Sequence, residues 1–268
     1  SADTSQEDMA FWLYSSGTTA VPKAAIHRHR DMIVAADRYA QQTIGLREED
    51  ISFSCAKLFF AYGLGNSLYF PLRCGGTTVL LPDAALPETV FAVCDRYQPT
   101  VFYSVPTSYA GLLHTAEMTG RMSLGRVRMC ISAGEPLPKP IFEKWRERFG
   151  VEILDGIGST EMLHIYISNR PGRARAGSTG NIVPGYDAKI LDEDGREVPA
   201  GAVGTLFVKG DSAAAGYWNR DDDTRRTFRG EWVDTHDKFT VDEDGFYWYA
   251  GRSDDMFKVS GHAVWPAR

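Results

Sequence analysis

The chain has 268 residues, 43% hydrophobic and 24% charged, with a formal net charge of -6. Those values describe an ordinary globular chain of one large domain or two smaller ones, and they argue against nucleic acid or an anionic membrane as the main partner. Four widely spaced cysteines, Cys55, Cys74, Cys94 and Cys130, form no metal or disulfide pattern and are expected as reduced core thiols. No apolar run reaches spanning length and no signal peptide is visible, so a cytoplasmic location is the default expectation.

The first two-thirds of the chain alternate strand-like and helix-like runs. "MAFWLYSS" predicts a buried strand that runs into a hydroxyl-rich loop, "YSSGTTAVPKAAIH", Tyr14 to His27. "HRHRDMIVAADRYAQQTIGL" then predicts a helix with Ile33, Ala36, Tyr39, Ala40 and Ile44 on one face and Gly45 as its stop. "ISFSC" and "GTTVLLP" are strand-like. Helices are predicted over "PETVFAVCDRYQP", "PTSYAGLLHTAEM" and "LPKPIFEKWRERFG", with strands over "TVFYSVP", "RVRMCISAGE" and "VEILDGIG". From about Gly177 the apolar runs shorten. "KILDEDGREV" and "FTVDEDGFYWY" each place a D-G turn between strand-like flanks, the signature of a hairpin. The expected fold is α/β: mixed sheets flanked by helices, then a small antiparallel β-barrel-like subdomain. The expected divisions are 1–45, 46–170, 171–250 and 251–268.

A strand, a loop of Ser, Thr and Gly, a lysine and a helix suit a phosphate. Backbone N–H groups and hydroxyls donate to its oxygens, and lysine adds a mobile charge. The spacing is not that of P-loop NTPases. The basic cluster His27-Arg28-His29-Arg30 is expected as a solvated face, since residues i and i+2 of a helix do not face each other. "RRTFRG" from Arg225 is expected as a surface loop.

"YSSGTTAVPKAAIH" resembles the phosphate-loop signature of adenylate-forming enzymes: acyl-CoA synthetases, peptide-synthetase adenylation domains and luciferases. Alanine stands at Ala20 and Ala24 where that family pattern has glycine. Further resemblances follow in the family's order: "SAGEPLP", "DGIGSTEMLH", "GTLFVKGDSAAAGYWN", "GEWVDTHDKF" (with His236 at a usual glycine) and "GRSDDMFKVSGHAVWP". "KLFFAYGLGNSLYFPL" and "STEMLH" are most similar to aryl-CoA ligases of the benzoate type.

The resemblance implies condensation of an aromatic carboxylate with ATP to an acyl-adenylate, then thioester formation with CoA, with Mg2+ as the cation. It assigns Ser15, Ser16, Gly17, Thr18, Thr19 and Lys23 to the β- and γ-phosphates, Thr160 to the α-phosphate and Glu161 to magnesium. Lys23, Thr160 and Glu161 are the implied catalytic residues. Gly134, Glu135, Pro136, Asp155, Gly156 and Ile157 are assigned to adenine, Asp237 and Arg252 to ribose, and Asp254 to a hinge. Phe60, Ala61, Tyr62, Gly63, Ala133, Gly158 and His164 are assigned to the acyl pocket, with Gly134 and Ile157 beside it. Phe59, Tyr69 and Phe70 are expected in the core. The resemblance covers the middle of such an enzyme; Lys258 is not its catalytic lysine. Two alternatives stand beside this expectation: transfer of the acyl group to a carrier-protein thiol, and a catalytically impaired nucleotide-binding or scaffold protein.

Overall fold

The computed structural model describes residues 2–15 and 22–252, and the backbone of 257–259 and 262–264. Ser16, Gly17, Thr18, Thr19, Ala20 and Asp254 lie outside the described residues, as does the side chain of Lys258. β1 (Met9–Ser15) pairs antiparallel with β2 (Lys23–Arg28), Ser15 standing opposite Lys23. The lysine is therefore followed by a second strand, where a helix was expected. Its backbone is satisfied from both sides. On the edge away from β1, Ile26 N–H donates to the Gly216 carbonyl and Trp218 N–H to the Ala24 carbonyl, both at 2.9 Å. A partner almost two hundred residues away decides this strand, and local periodicity does not contain it. Ala24 sits within β2, and its φ is not positive, so its Cβ carries no left-handed strain.

α1 (His29–Ala35) widens into a π-helical stretch, Ala36–Gln41. Ala36, Tyr39, Ala40 and Ile44 are buried as expected, but Ile33 is 46% exposed. The wide turn shifts the buried face relative to a regular helical stripe. Gly45 adopts φ +62°, and Leu46 N–H closes back on the Ala40 carbonyl at 2.8 Å, stopping the helix as predicted.

A seven-stranded sheet follows, in the order β4 (Thr77–Val79), β3 (Ile51–Ser54), β5 (Val101–Ser104), β6 (Met129–Ser132), β7 (Ile153–Gly158), β8 (Ile165–Ser168), β9 (Asn181–Ile182). Strands β4 to β7 are parallel; β8 and β9 run antiparallel. The predicted helices form the connections: α4 (Pro87–Tyr97), α5 (Pro106–Thr119) and α6 (Lys139–Phe149). Alternation splits the strands between two cores. Phe102, Cys130 and Ile153 pack with Tyr109 and Trp145 under these helices. Tyr103, Ile131 and Leu154 face Tyr39, Phe70 and Ile165. "KLFFAYGLGNSLYFPL" is helical: α2 (Ala61–Leu64), a π stretch Gly65–Tyr69, and α3 (Phe70–Cys74). Tyr69 and Phe70 are buried. Phe59 is instead 70% exposed, its ring against Phe60 on the turn before α2.

The last third is a five-stranded antiparallel sheet: β10 (Tyr186–Leu191), β11 (Gly204–Gly210), β13 (Trp232–Val241) and β12 (Phe228–Arg229), with β14 (Tyr247–Arg252) also on β13. The second D-G turn makes the predicted hairpin, β13–β14. The first makes only its turn. Leu191 meets Glu197 in a single bridge, and β10 takes β11 as its partner over its full length. "RRTFRG" forms the end of α7 (Asp221–Thr227) and β12, with Thr227 buried against Tyr217 and Phe228, so it is no loose loop. The largest core joins Leu13, Tyr39, Ile165, Val208 and Phe239, so both sheets and β1 share it. All four cysteines are thiols, Cys94 and Cys130 buried, Cys55 and Cys74 half-buried.

His236 adopts φ +58°, a left-handed backbone that costs a side chain with a Cβ about 1 kcal/mol. His236→Gly is expected to raise the unfolding free energy by about that amount in chemical denaturation. A variant less stable than the parent contradicts the strain.

Candidate active site

The carboxyl ends of parallel strands leave a crevice where ligands bind in open α/β sheets. Here β6 and β7 end at Ser132 and Gly158. Two hollows meet there. The first is a cleft of about 190 Å³ lined by both polar and apolar groups. Its wall includes all six residues assigned to adenine (Gly134, Glu135, Pro136, Asp155, Gly156, Ile157) and both assigned to ribose, Asp237 and Arg252. The last two stand opposite each other on β13 and β14, and Arg252 Nη1 donates to Asp237 Oδ1 at 3.2 Å. Thr179, Phe239 and Tyr249 complete the cleft. They lie outside the quoted motifs or on strand faces with no polar signature. Burial pushes the Asp155 carboxyl up to about 8, and its Oδ1 has no hydrogen-bond partner.

The second hollow is a cavity of about 550 Å³, within the range of about 300–1,000 Å³ common for small-molecule sites. Phe60, Ala61, Tyr62, Ala133, Gly158 and His164 line it. Gly63 does not. A Cβ there would stand 2.1 Å from the Lys57 carbonyl, so Gly63 serves the close packing behind the wall. Tyr62 Oη donates to the carbonyls of Ser104 at 3.2 Å and Ile131 at 3.1 Å, which fixes its ring. Burial lowers His164 to about 3, so its imidazole is neutral. Its Nε2 faces the Tyr62 carbonyl at 3.3 Å and Asn66 Oδ1 at 3.1 Å and so carries the proton, leaving Nδ1 as a bare acceptor. Lys57, Val105, Ser108 and Leu163 also line the cavity. Lys57 Nζ is taken up by the carbonyls of Leu81 at 2.6 Å and Asp83 at 2.5 Å, which ties the segment after β4 to the cavity wall.

The hollows share Gly134 and Gly158. Gly134 has φ +91°, and a Cβ on Gly158 would lie 2.5 Å from the His164 carbonyl. Glycine is favoured at both points of this seam, for lack of room at Gly158 and for its backbone conformation at Gly134.

Thr160 borders the cavity, and Glu161 follows it on the loop between β7 and β8. Leu163 closes that loop at φ +69° while fully buried. Lys23 Nζ pairs with Asp223 at 3.2 Å and stands 5.4 Å from the Tyr217 ring centre. Tyr217 Oη donates to Glu161 Oε1 at 2.7 Å. Ser15 is half-buried at the end of β1. His27, expected in a solvated face, is fully buried. Its Nδ1 lies 3.0 Å from Asp31 Oδ2 and its Nε2 donates to the Thr160 carbonyl at 2.8 Å. The correction follows from β2: a strand residue on the covered face points inward whatever its polarity. Arg28 and Arg30 remain half-exposed and reach Glu7. Among the described residues no three His, Cys, Asp or Glu side chains could share a metal ion. Glu161 offers one hard carboxylate of the kind that magnesium takes together with phosphate oxygens and water.

Residues 1–218 match the family described as AMP-binding enzyme. The chain belongs to that family. It is 52% identical over 266 residues to the benzoate–CoA ligase of Thauera aromatica, covering 99% of this chain and 50% of that protein. The 4-hydroxybenzoate–CoA/benzoate–CoA ligase of Rhodopseudomonas palustris is 46% identical, with 99% and 49% covered. The crystal structure of the anthranilate CoA ligase AuaEII in complex with anthranoyl-AMP superposes with a TM-score of 0.95 at 45% identity, covering 99% of this chain and 51% of that one. A benzoate CoA ligase from Burkholderia xenovorans LB400 gives 0.92 at 48%, with 99% and 52% covered. The chain spans about half the length of the relatives it matches. Its fold is that of adenylate-forming enzymes, mixed sheets with helices followed by a curled antiparallel sheet.

Folded Asp155 keeps its proton to about pH 8, whereas an unfolded one releases it near 3.8. The folded state binds the extra proton between those values, so this group's stabilisation falls as pH rises through the window. Asp155→Asn is expected to gain stability on the parent steadily from about pH 5 to about pH 8 in denaturant titrations. Parallel pH curves contradict the shift.

Proposed function

We propose that the chain activates a benzoate-like carboxylate with ATP to an acyl-adenylate and passes the acyl group to CoA. The observation that carries this reading is the junction at Gly134 and Gly158. A cleft of mixed lining suited to a nucleoside and an apolar, aromatic-walled cavity meet at the same two glycines. An acyl-adenylate needs that shape: a flat apolar group and a nucleoside joined by a narrow mixed anhydride. The named relatives act on benzoate, hydroxybenzoate and anthranilate, which supports an aromatic acid.

Gly134, Glu135 and Pro136 cover one adenine face, with Gly156 and Ile157 on the other. Asp155 offers its unpartnered oxygen to the base, and Asp237 and Arg252 take the ribose hydroxyls. Ser15 and Lys23, with Ser16, Gly17, Thr18 and Thr19, receive the β- and γ-phosphates, and Lys23 leaves Asp223 for them. Thr160 holds the α-phosphate. Glu161 holds magnesium, which when bound offsets phosphate charge. A carboxylate is a weak nucleophile, and two anions must approach. The residues' main work is therefore to hold the acid in line with the α-phosphorus and to neutralise charge. The carboxylate oxygen forms a bond to that phosphorus as the bond to pyrophosphate breaks. The CoA thiol, losing its proton, then takes the acyl carbon and AMP leaves. We propose the divisions 1–45, 46–170, 171–250 and 251–268 as units of this reaction, the last a hinge at Asp254. Free thiols at all four cysteines favour a reducing compartment, and we place the protein in the cytoplasm.

In ATP–pyrophosphate exchange by the intact protein, benzoate and aminobenzoate are expected to support exchange, and acetate and palmitate are expected not to. Ala61→Phe, which fills the cavity, is expected to lower kcat/KM for benzoate at least tenfold with little change in ATP binding. Preferred exchange with palmitate sinks the reading. Product analysis with CoA against a carrier protein then tests the acceptor.

A further inference from the structure

We propose that Tyr217 is a positioning residue that fixes the Glu161 carboxylate and offers its ring face to the Lys23 ammonium. The inference rests on the proposed roles of Glu161 and Lys23.

Tyr217 is 6% exposed and packs with Ala25, Ala214 and the edge of Phe228. Phenylalanine would fill that space equally well. Its hydroxyl donates to Glu161 Oε1 at 2.7 Å, a charge-assisted bond, with Thr227 beside it. One carboxylate oxygen is thereby fixed and the plane of the other is set. Lys23 Nζ stands 5.4 Å from the centre of the same ring, within reach of a cation–π attraction. The face of one rigid aromatic thus meets the cation, and its hydroxyl holds the anion.

The backbone around Tyr217 is fastened on both sides. Ala214 N–H donates to the Glu161 carbonyl at 2.8 Å. Tyr217 N–H donates to Thr224 Oγ1, and Trp218 N–H to the Ala24 carbonyl, each at 2.9 Å. The segment from Ala213 to Trp218 therefore ties the strand after the hydroxyl-rich loop to the loop that carries Glu161. Lys23 and Glu161 lie more than a hundred residues apart in sequence, and this strap gives them a common reference.

The test is Tyr217→Phe in the intact protein, which keeps the ring and removes the hydroxyl. Outer-shell partners of metal ligands typically contribute about 10–100-fold to affinity. Equilibrium Mn2+ binding in the presence of ATP, read by electron paramagnetic resonance, is expected to weaken about tenfold. The Mg2+ concentration for half-maximal exchange should rise in step, with the KM for benzoate within about twofold. Tyr217→Leu, which also removes the ring from Lys23, should raise the KM for ATP further. On a Glu161→Gln background, Tyr217→Phe should change Mn2+ binding little, because its route is gone; additive losses there overturn the inference in favour of a packing role. A shift in Glu161→Gln with none in Tyr217→Phe overturns the Tyr217 inference alone. No shift in either overturns the metal reading of Glu161 as well.

Discussion

Two backbone positions without side chains govern how this site is built. Gly134 is in a left-handed conformation after β6, and Gly158 ends β7 with the His164 carbonyl where a Cβ would go. Neighbouring parallel strands deliver both: Ser132, the last residue of β6, stands opposite Asp155, and β7 runs on to Gly158. A Cβ on Gly158 would run into the backbone of His164 and Ile165, and Gly134 holds φ +91°, so both positions favour glycine. The two hollows meet at these glycines.

The second organising element is β2. It is held by β1 on one edge and by the Ala213–Trp218 segment on the other. Through His27 it reaches the Thr160 carbonyl, and through the segment beside it, Glu161. Charged and polar groups that look scattered along the chain become one assembly around a single strand. The strained Leu163 fits this view: a buried residue at φ +69° persists because the tethered loop on one side and β8 on the other leave it no alternative.

The parallel sheet and its helices were legible because their signals are local. Pro87, Pro106 and Pro140 lie at or beside the helix starts, and β5 and β6 are continuous apolar runs. The residues expected at adenine and the acyl group come from the motifs of the resemblance, and all but Gly63 line the cleft and the cavity. What escaped is what depends on distant partners. Ala24 to His27 have no strand signature without Ala213 to Trp218, so β2 read as a loop and helix start and His27 as solvated. The first D-G pair makes its turn, but β11 outcompetes the adjacent flank for β10. Tyr217, Lys57 and Phe239 stand inside quoted motifs, but the partners each meets come from distant parts of the chain. Ala24 looked like a defect and lies unstrained in a strand, while His236 is strained at φ +58°.

The account stands or falls on the two hollows being halves of one ligand site. A crystal structure of the intact protein with a non-hydrolysable benzoyl-adenylate analogue tests this most directly. The base is expected between Pro136 and Ile157, the ribose at Asp237, the linkage at Gly134 and Gly158, and the ring among Phe60, Tyr62 and His164. An analogue whose ring lies outside that cavity, or whose base lies away from Asp155, contradicts it.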